Sequence, residues 1–152
     1  MAQELPEVGP ERSLVLDANI LLRAVLGPRV RGLIEQYADQ VSLLTPQSCV
    51  TEARSYLPAL CLRRRWPAAP ALKLLDVVLT GIQVIENSAF AEVELEARQR
   101  IAARDPDDWS VVALAIATGA PVWTEDKDFF GTGVATWTTQ TVELYLARKS
   151  TS

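Results

Sequence analysis

Carboxylates are the side chains in this sequence best able to do chemistry. Asp17 closes the apolar run Ser13-Leu14-Val15-Leu16; Asp105, Asp107 and Asp108 stand before a long apolar stretch; Glu125, Asp126 and Asp128 follow Val122-Trp123-Thr124. The sequence contains no histidine, which excludes Ser-His-Asp and Cys-His catalysis, histidine bases and the usual zinc ligands. What remains is carboxylates, hydroxyls, Lys, Arg or a metal held by oxygen. Oxygen donors without His or Cys suit Mg²⁺ or Mn²⁺. Such an ion activates water, binds a phosphate oxygen and stabilises a departing one, as phosphodiester hydrolysis requires.

Each acid alone also has an ordinary use. Asp17 or Asn19 could cap a helix, Asp105, Asp107 and Asp108 could complement a helix dipole, and Glu125, Asp126 and Asp128 could shape a turn. The chemistry needs them together, which depends on the elements between them. Strands are expected at residues 13–16, 41–44, 82–85, 121–124 and 134–136, from short apolar runs bounded by turn residues. Helices are expected at 20–26, stopped by Gly27-Pro28, and at 30–38, 46–60, 68–79, 88–104, 109–118 and 139–147. Thr45 reads as a cap with Pro46 at the first helical position. Residues 88–104 read as one amphipathic helix: Phe90, Val93, Ala97 and Ile101 form its inner face, and Glu94–Arg98 and Glu96–Arg100 pair outside. The alternation predicts an α/β domain, three layers with a central parallel sheet of about five strands. It spans residues 13–147, between a loose tail at 1–12 and a short one at 148–152.

In an open parallel sheet, ligands bind beyond the carboxyl ends of the strands. Asp17 ends the first strand and Asp126 lies just past the fourth. The helix before that fourth strand runs antiparallel to it, so its N-terminus, with Asp108, meets the same edge. Ten helical residues at about 1.5 Å span roughly the same distance as four or five strand residues at about 3.3 Å. Three acids therefore converge. Two like charges about 4 Å apart cost on the order of 4 kcal/mol at an effective dielectric near 20. Either protons or a divalent cation must relieve that repulsion.

The 152 residues suit one domain. No apolar run approaches the roughly 20 residues of a membrane span, and the acidic N-terminus lacks a secretion signal, so a cytoplasmic protein is expected. Cys49 and Cys61 read as buried hydrophobes. The net charge of −4 gives no long-range pull on nucleic acid. Of the 15 cations, however, 12 are Arg, and Arg63-Arg64-Arg65-Trp66 is a dense basic cluster beside an aromatic. It is a solvated helix end or a contact for phosphate and base.

These residues, in this order, resemble the PIN domain family of metal-dependent ribonucleases, especially the small VapC-type toxins. Leu14-Val15-Leu16-Asp17-Ala18-Asn19 is similar to the family's first strand and acid, and Thr51-Glu52 to its glutamate. Asp108-Trp109-Ser110-Val111-Val112-Ala113 is similar to its third acid and Ala-rich helix, and Thr124-Glu125-Asp126-Lys127-Asp128-Phe129 to its closing motif. The resemblance implies Asp17, Glu52, Asp108 and Asp126 as catalytic metal ligands, with Asp128 as an outer acid able to exchange roles with Asp126. It favours Asp108 over its neighbour Asp107, which is left as a supporting group, and makes Asn19 and Thr124 orienting groups. Glu52 rests mainly on the resemblance, because it lies about 9 Å into its helix and geometry alone does not place it at the edge. RNA contacts are expected from Arg54, Arg63, Arg64, Arg65 and Trp66. The resemblance further implies Mg²⁺ or Mn²⁺, an RNA substrate, a small antitoxin partner and a homodimer. A free-standing RNA-processing or repair nuclease and a catalytically silent binding module are the alternatives.

Overall fold

The computed structural model describes residues 12–102 and 108–148. Asp107 and the expected tails, apart from Arg12 and Arg148, lie outside the described residues. Strand β1 (Arg12–Leu16) is central, and Leu14, Val15 and Leu16 are fully buried. A strand covered on both faces needs such a continuous apolar run. Helices α1 (Ala18–Leu26) and α2 (Pro28–Tyr37) follow. Gly27 ends the first, and Pro28 opens the second where its missing N–H has no helical partner to lose. Then come β2 (Val41–Pro46), α3 (Gln47–Arg64), α4 (Ala68–Leu79) and β3 (Gln83–Ile85). A 3-10 segment (Asn87–Val93), α5 (Glu94–Ile101) and α6 (Trp109–Thr118) lead to β4 (Val122–Trp123), β5 (Thr136–Trp137) and α7 (Val142–Leu146).

The five strands are all parallel, in the order β3-β2-β1-β4-β5. Helices α1 to α4 pack together as one layer, and α5 and α6 pack on each other as another. The expected three-layer fold is thus present. The chain winds outward from β1 in one direction through β2 and β3, then in the other through β4 and β5. The reversal falls between β1 and β4, where a crevice opens at the carboxyl ends of the strands. No helix among the described residues is long and apolar enough to cross a membrane.

Several local expectations change. Arg12, assigned to the tail, pairs with Val41 as the first residue of β1. Thr45 does not cap: it stays in β2, and its buried hydroxyl donates to the Leu16 carbonyl at 2.8 Å. Helix α3 runs to Arg64, through Pro58, and ends where Arg65 takes a left-handed φ of 59°. The helix expected at 88–104 is broken, because Phe90 (φ −125°, ψ 24°) turns into the core. Its ring meets Trp109 edge-on, centroids 5.9 Å apart, and this burial outweighs a regular helical turn. Only α5 keeps the outer pairs, Arg98–Glu94 at 3.2 Å and Arg100–Glu96 at 2.6 Å.

Candidate active site

Asp17 follows the last residue of β1 and is only 4% exposed. One carboxylate oxygen accepts from the Ile20 N–H at 2.9 Å, which caps α1. The other accepts a short hydrogen bond from the Thr124 hydroxyl, across the β1–β4 reversal. The Thr124 oxygen in turn accepts from the Asp126 N–H at 2.9 Å. Asp126 then accepts from the Asp128 N–H at 2.9 Å, shaping the 3-10 turn Lys127–Phe129. One buried hydroxyl thus ties together the acids that end the two strands. Cap and cluster member are the same residue.

Helix α3 brings Glu52 in from the side. Glu52, Tyr56, Ala59, Leu60 and Arg63 recur at three- and four-residue steps, so they form one stripe. That stripe and Asn19, Leu22, Asp108 and Asp126 line a cleft of about 450 Å³. The helix starts are joined by a 2.9 Å hydrogen bond between the Ser48 and Ser110 hydroxyls, which holds α3 beside α6. The Cys49 thiol, pushed up first by burial, is raised further by Asp17, Glu52 and Asp108. One buried group therefore feels three of the acids at once.

The electrostatics agree. Asp17 is raised from 3.8 to about 6, first by burial, while its bonds from Thr124 and Ile20 work the other way. The negative charges of Asp126 and Glu52 raise it further. Among the described residues, no three of the acids or cysteines close into a group already arranged to hold an ion. The donor set nevertheless fits Mg²⁺ or Mn²⁺ in kind, because it offers carboxylate, amide and hydroxyl oxygens around one crevice.

The PIN domain pattern matches residues 15–147. The chain belongs to the PIN domain family. That stretch takes in every acid of the cleft. A crystal structure of the protein PAE2754 from Pyrobaculum aerophilum is similar at 21% identity, with a TM-score of 0.69 and coverage of 98% of this chain and 99% of that one. The structure of VapBC2 from Rickettsia felis, bound to a DNA fragment from their promoter, is similar at 17% identity and TM-score 0.63, covering 83% of this chain and 98% of that one. FitAcB from Neisseria gonorrhoeae is similar at 20% identity and TM-score 0.63, covering 84% and 98%. At these identities the likeness is one of fold. A search of curated proteins gives no significant match.

Within this PIN domain, Asn19, Glu52, Asp108 and Asp126 share the cleft, and Asp17 and Thr124 lie buried behind it. Asp128 does not line the cleft and contributes its backbone N–H to Asp126. Of the expected RNA contacts, Arg63 faces the acids. Arg64 stacks over Trp66 at 5.4 Å and lines an adjoining groove of about 670 Å³. Arg54 instead pairs with Asp76 of α4 at 2.5 Å, and Arg65 forms the turn that ends α3. Sequence reasoning missed Tyr56, which is 56% exposed in the cleft, and Arg23 and Arg29, which line the groove with Arg64. Tyr56 lies four residues after Glu52 and Arg23 four after Asn19, and that helical spacing was the available signal.

Proposed function

We propose that this PIN domain is a metal-dependent endoribonuclease and the toxin of a toxin–antitoxin pair. The observation that carries the reading is the cleft at the β1–β4 reversal, lined by Glu52, Asp108 and Asp126, with the charges of Glu52 and Asp126 reaching the buried Asp17. Asp17, Glu52, Asp108 and Asp126 would hold Mg²⁺ or Mn²⁺, with Asp128 as an outer acid. When bound, the ion supplies Lewis-acid polarisation and a water of lowered pKa.

The chain's own residues account for the rest. Thr124 fixes the orientation of Asp17 and the backbone of Asp126, and Asn19 offers an amide to water or ligand at the cleft. Arg63 meets the phosphate next to the acids, and Arg23, Arg29 and Arg64 continue the backbone track into a groove that shares Asn19, Leu22 and Leu60 with the cleft. Tyr56 offers a face on which an unstacked base can lie, which favours single strands. The structural likeness to VapBC2, solved on promoter DNA, and to FitAcB supports the toxin reading. An antitoxin protein, a homodimer and a cytoplasmic setting belong to it.

Induced expression of the wild type should arrest bacterial growth, and purified protein should cleave RNA until EDTA is added. Asp108→Asn should be harmless and inactive, with cleavage lower by at least about a hundredfold, on the scale of losing a group that stabilises developing charge. Cleavage unchanged by EDTA or by Asp108→Asn rules out the metal site.

A further inference from the structure

The amino ends of β4 and β5, at the opposite edge of the sheet from the acids, border a second cleft of about 540 Å³. Arg100, Pro121, Gly133, Trp137, Tyr145 and Arg148 lie along it. The Trp137 and Tyr145 rings are 5.7 Å apart and inclined by only 32°. The Arg148 guanidinium lies 5.7 Å from both ring centres, and that of Arg12, at the amino end of β1, lies 5.7 Å from Tyr145 and donates to the Leu146 carbonyl at 2.9 Å. Arg100 is held by Glu96, but neither Arg12 nor Arg148 has an acidic partner among the described residues. Both positive charges act on the Tyr145 hydroxyl, opposing the rise that burial causes. In a chain of net charge −4, two cations have gathered at a pair of tilted rings, and no carboxylate among the described residues pairs with either.

The geometry points to a nucleotide-binding site here, separate from the acid cleft, in which Arg148 takes a phosphate, Arg12 adds its positive charge from beyond the cleft lining, and Trp137 with Tyr145 takes the base. Guanidinium groups match phosphate oxygens, and aromatic faces accept any base by stacking. The volume lies in the range of small-ligand sites. An acidic peptide would use the charges and leave the rings without a role. From Arg12 to Asp17 is five strand steps, roughly 16 Å at about 3.3 Å each, so one phosphate cannot serve both edges. A longer RNA could reach both by passing the open edge of β5. The inference concerns binding alone and stands whether or not the acid cleft cleaves RNA.

The test is a titration of the full chain, in EDTA, with adenosine 5′-monophosphate and separately with a short single-stranded RNA. The indole N–H signals of the 4 tryptophans are followed, with Trp137 assigned from Trp137→Phe. The Trp137 signal should shift saturably while that of Trp66 stays still under the mononucleotide. Arg148→Glu, at an exposed position, should weaken binding on the order of tenfold and lower the salt dependence for RNA by about 0.7 for each phosphate that the variant no longer neutralises. Tighter binding of RNA than of the mononucleotide, still dependent on Arg148, identifies a strand as the occupant; equal binding identifies a free nucleotide. An unmoved Trp137 signal, the same response in Arg148→Glu, or an equal response to a polyglutamate peptide overturns the proposal.

Discussion

Asp17 carries two duties that conflict. Capping α1 and bonding Thr124 require a buried carboxylate, and burial with Asp126 and Glu52 nearby raises it from 3.8 to about 6. The folded protein therefore binds this proton more tightly than the unfolded chain does. The stability contributed by the group is complete below pH 3.8 and is lost as the pH rises through about 6. Two pKa units correspond to on the order of 3 kcal/mol. Thermal unfolding in EDTA should accordingly give a higher Tm at pH 5 than at pH 7, and Asp17→Asn should flatten that difference. If the variant keeps the wild-type pH slope, the burden lies on another group. Thr124→Val tests the same bond from its other end. It removes the only side-chain donor that the Asp17 carboxylate has among the described residues, so in EDTA the pH at which stability is lost should move upward. Aspartate after a strand is visible in sequence; its burial, and the threonine it depends on, are set by chain segments more than a hundred residues apart.

The return from α6 to β4 is the element-scale device that joins Asp108 to Asp126. Its rise-for-rise match could be read from residue numbers, since α6 and β4 fall where the spacing placed them. The turn depends on Gly119, whose φ of 72° closes the helix by a 2.8 Å bond to the Ala115 carbonyl. A Cβ there would meet nothing within 4 Å, so Gly119→Ala measures conformational strain alone. It should cost about 1 kcal/mol, a fall in Tm of roughly 2–4 °C for a domain this size. A neutral result would mean that the loop relaxes. Helix α3 was less legible. Ending it near residue 60 separated Arg63 from the helix, although Glu52, Tyr56 and Arg63 share one face. Counting distance along the axis put Glu52 too far in, whereas counting around the axis puts it beside Asp108. Residues 88–104 failed for a related reason: their periodicity was real, but the fit of Phe90 against Trp109 decided the backbone.

At the scale of the whole molecule, a net charge of −4 conceals a division that composition could not reveal. Carboxylates occupy the carboxyl edge of the sheet, with arginines beside them along the groove. An acidic cleft repels a phosphate backbone, and the flanking guanidiniums attract it only once that local charge is reduced. A divalent cation bound by the folded chain and not by the unfolded one stabilises by mass action, about 2.7 kcal/mol at a hundred times its Kd. At pH 7 it also relieves the repulsion from Asp126 and Glu52 that adds to the effect of burial on Asp17. Adding Mn²⁺ to the EDTA-treated, dialysed wild type should therefore raise Tm by roughly 5–10 °C. The same addition to Asp108→Asn should do much less, because one donor is gone and the repulsion it answers is weaker. RNA affinity should follow the same order: weak without metal, stronger with it, and insensitive to it in the variant. Calorimetric unfolding and RNA binding in parallel separate the two roles of the ion. A Tm rise without a gain in RNA affinity would leave the acids as a structural cation site, and no rise in either would remove the cation from the account of this fold.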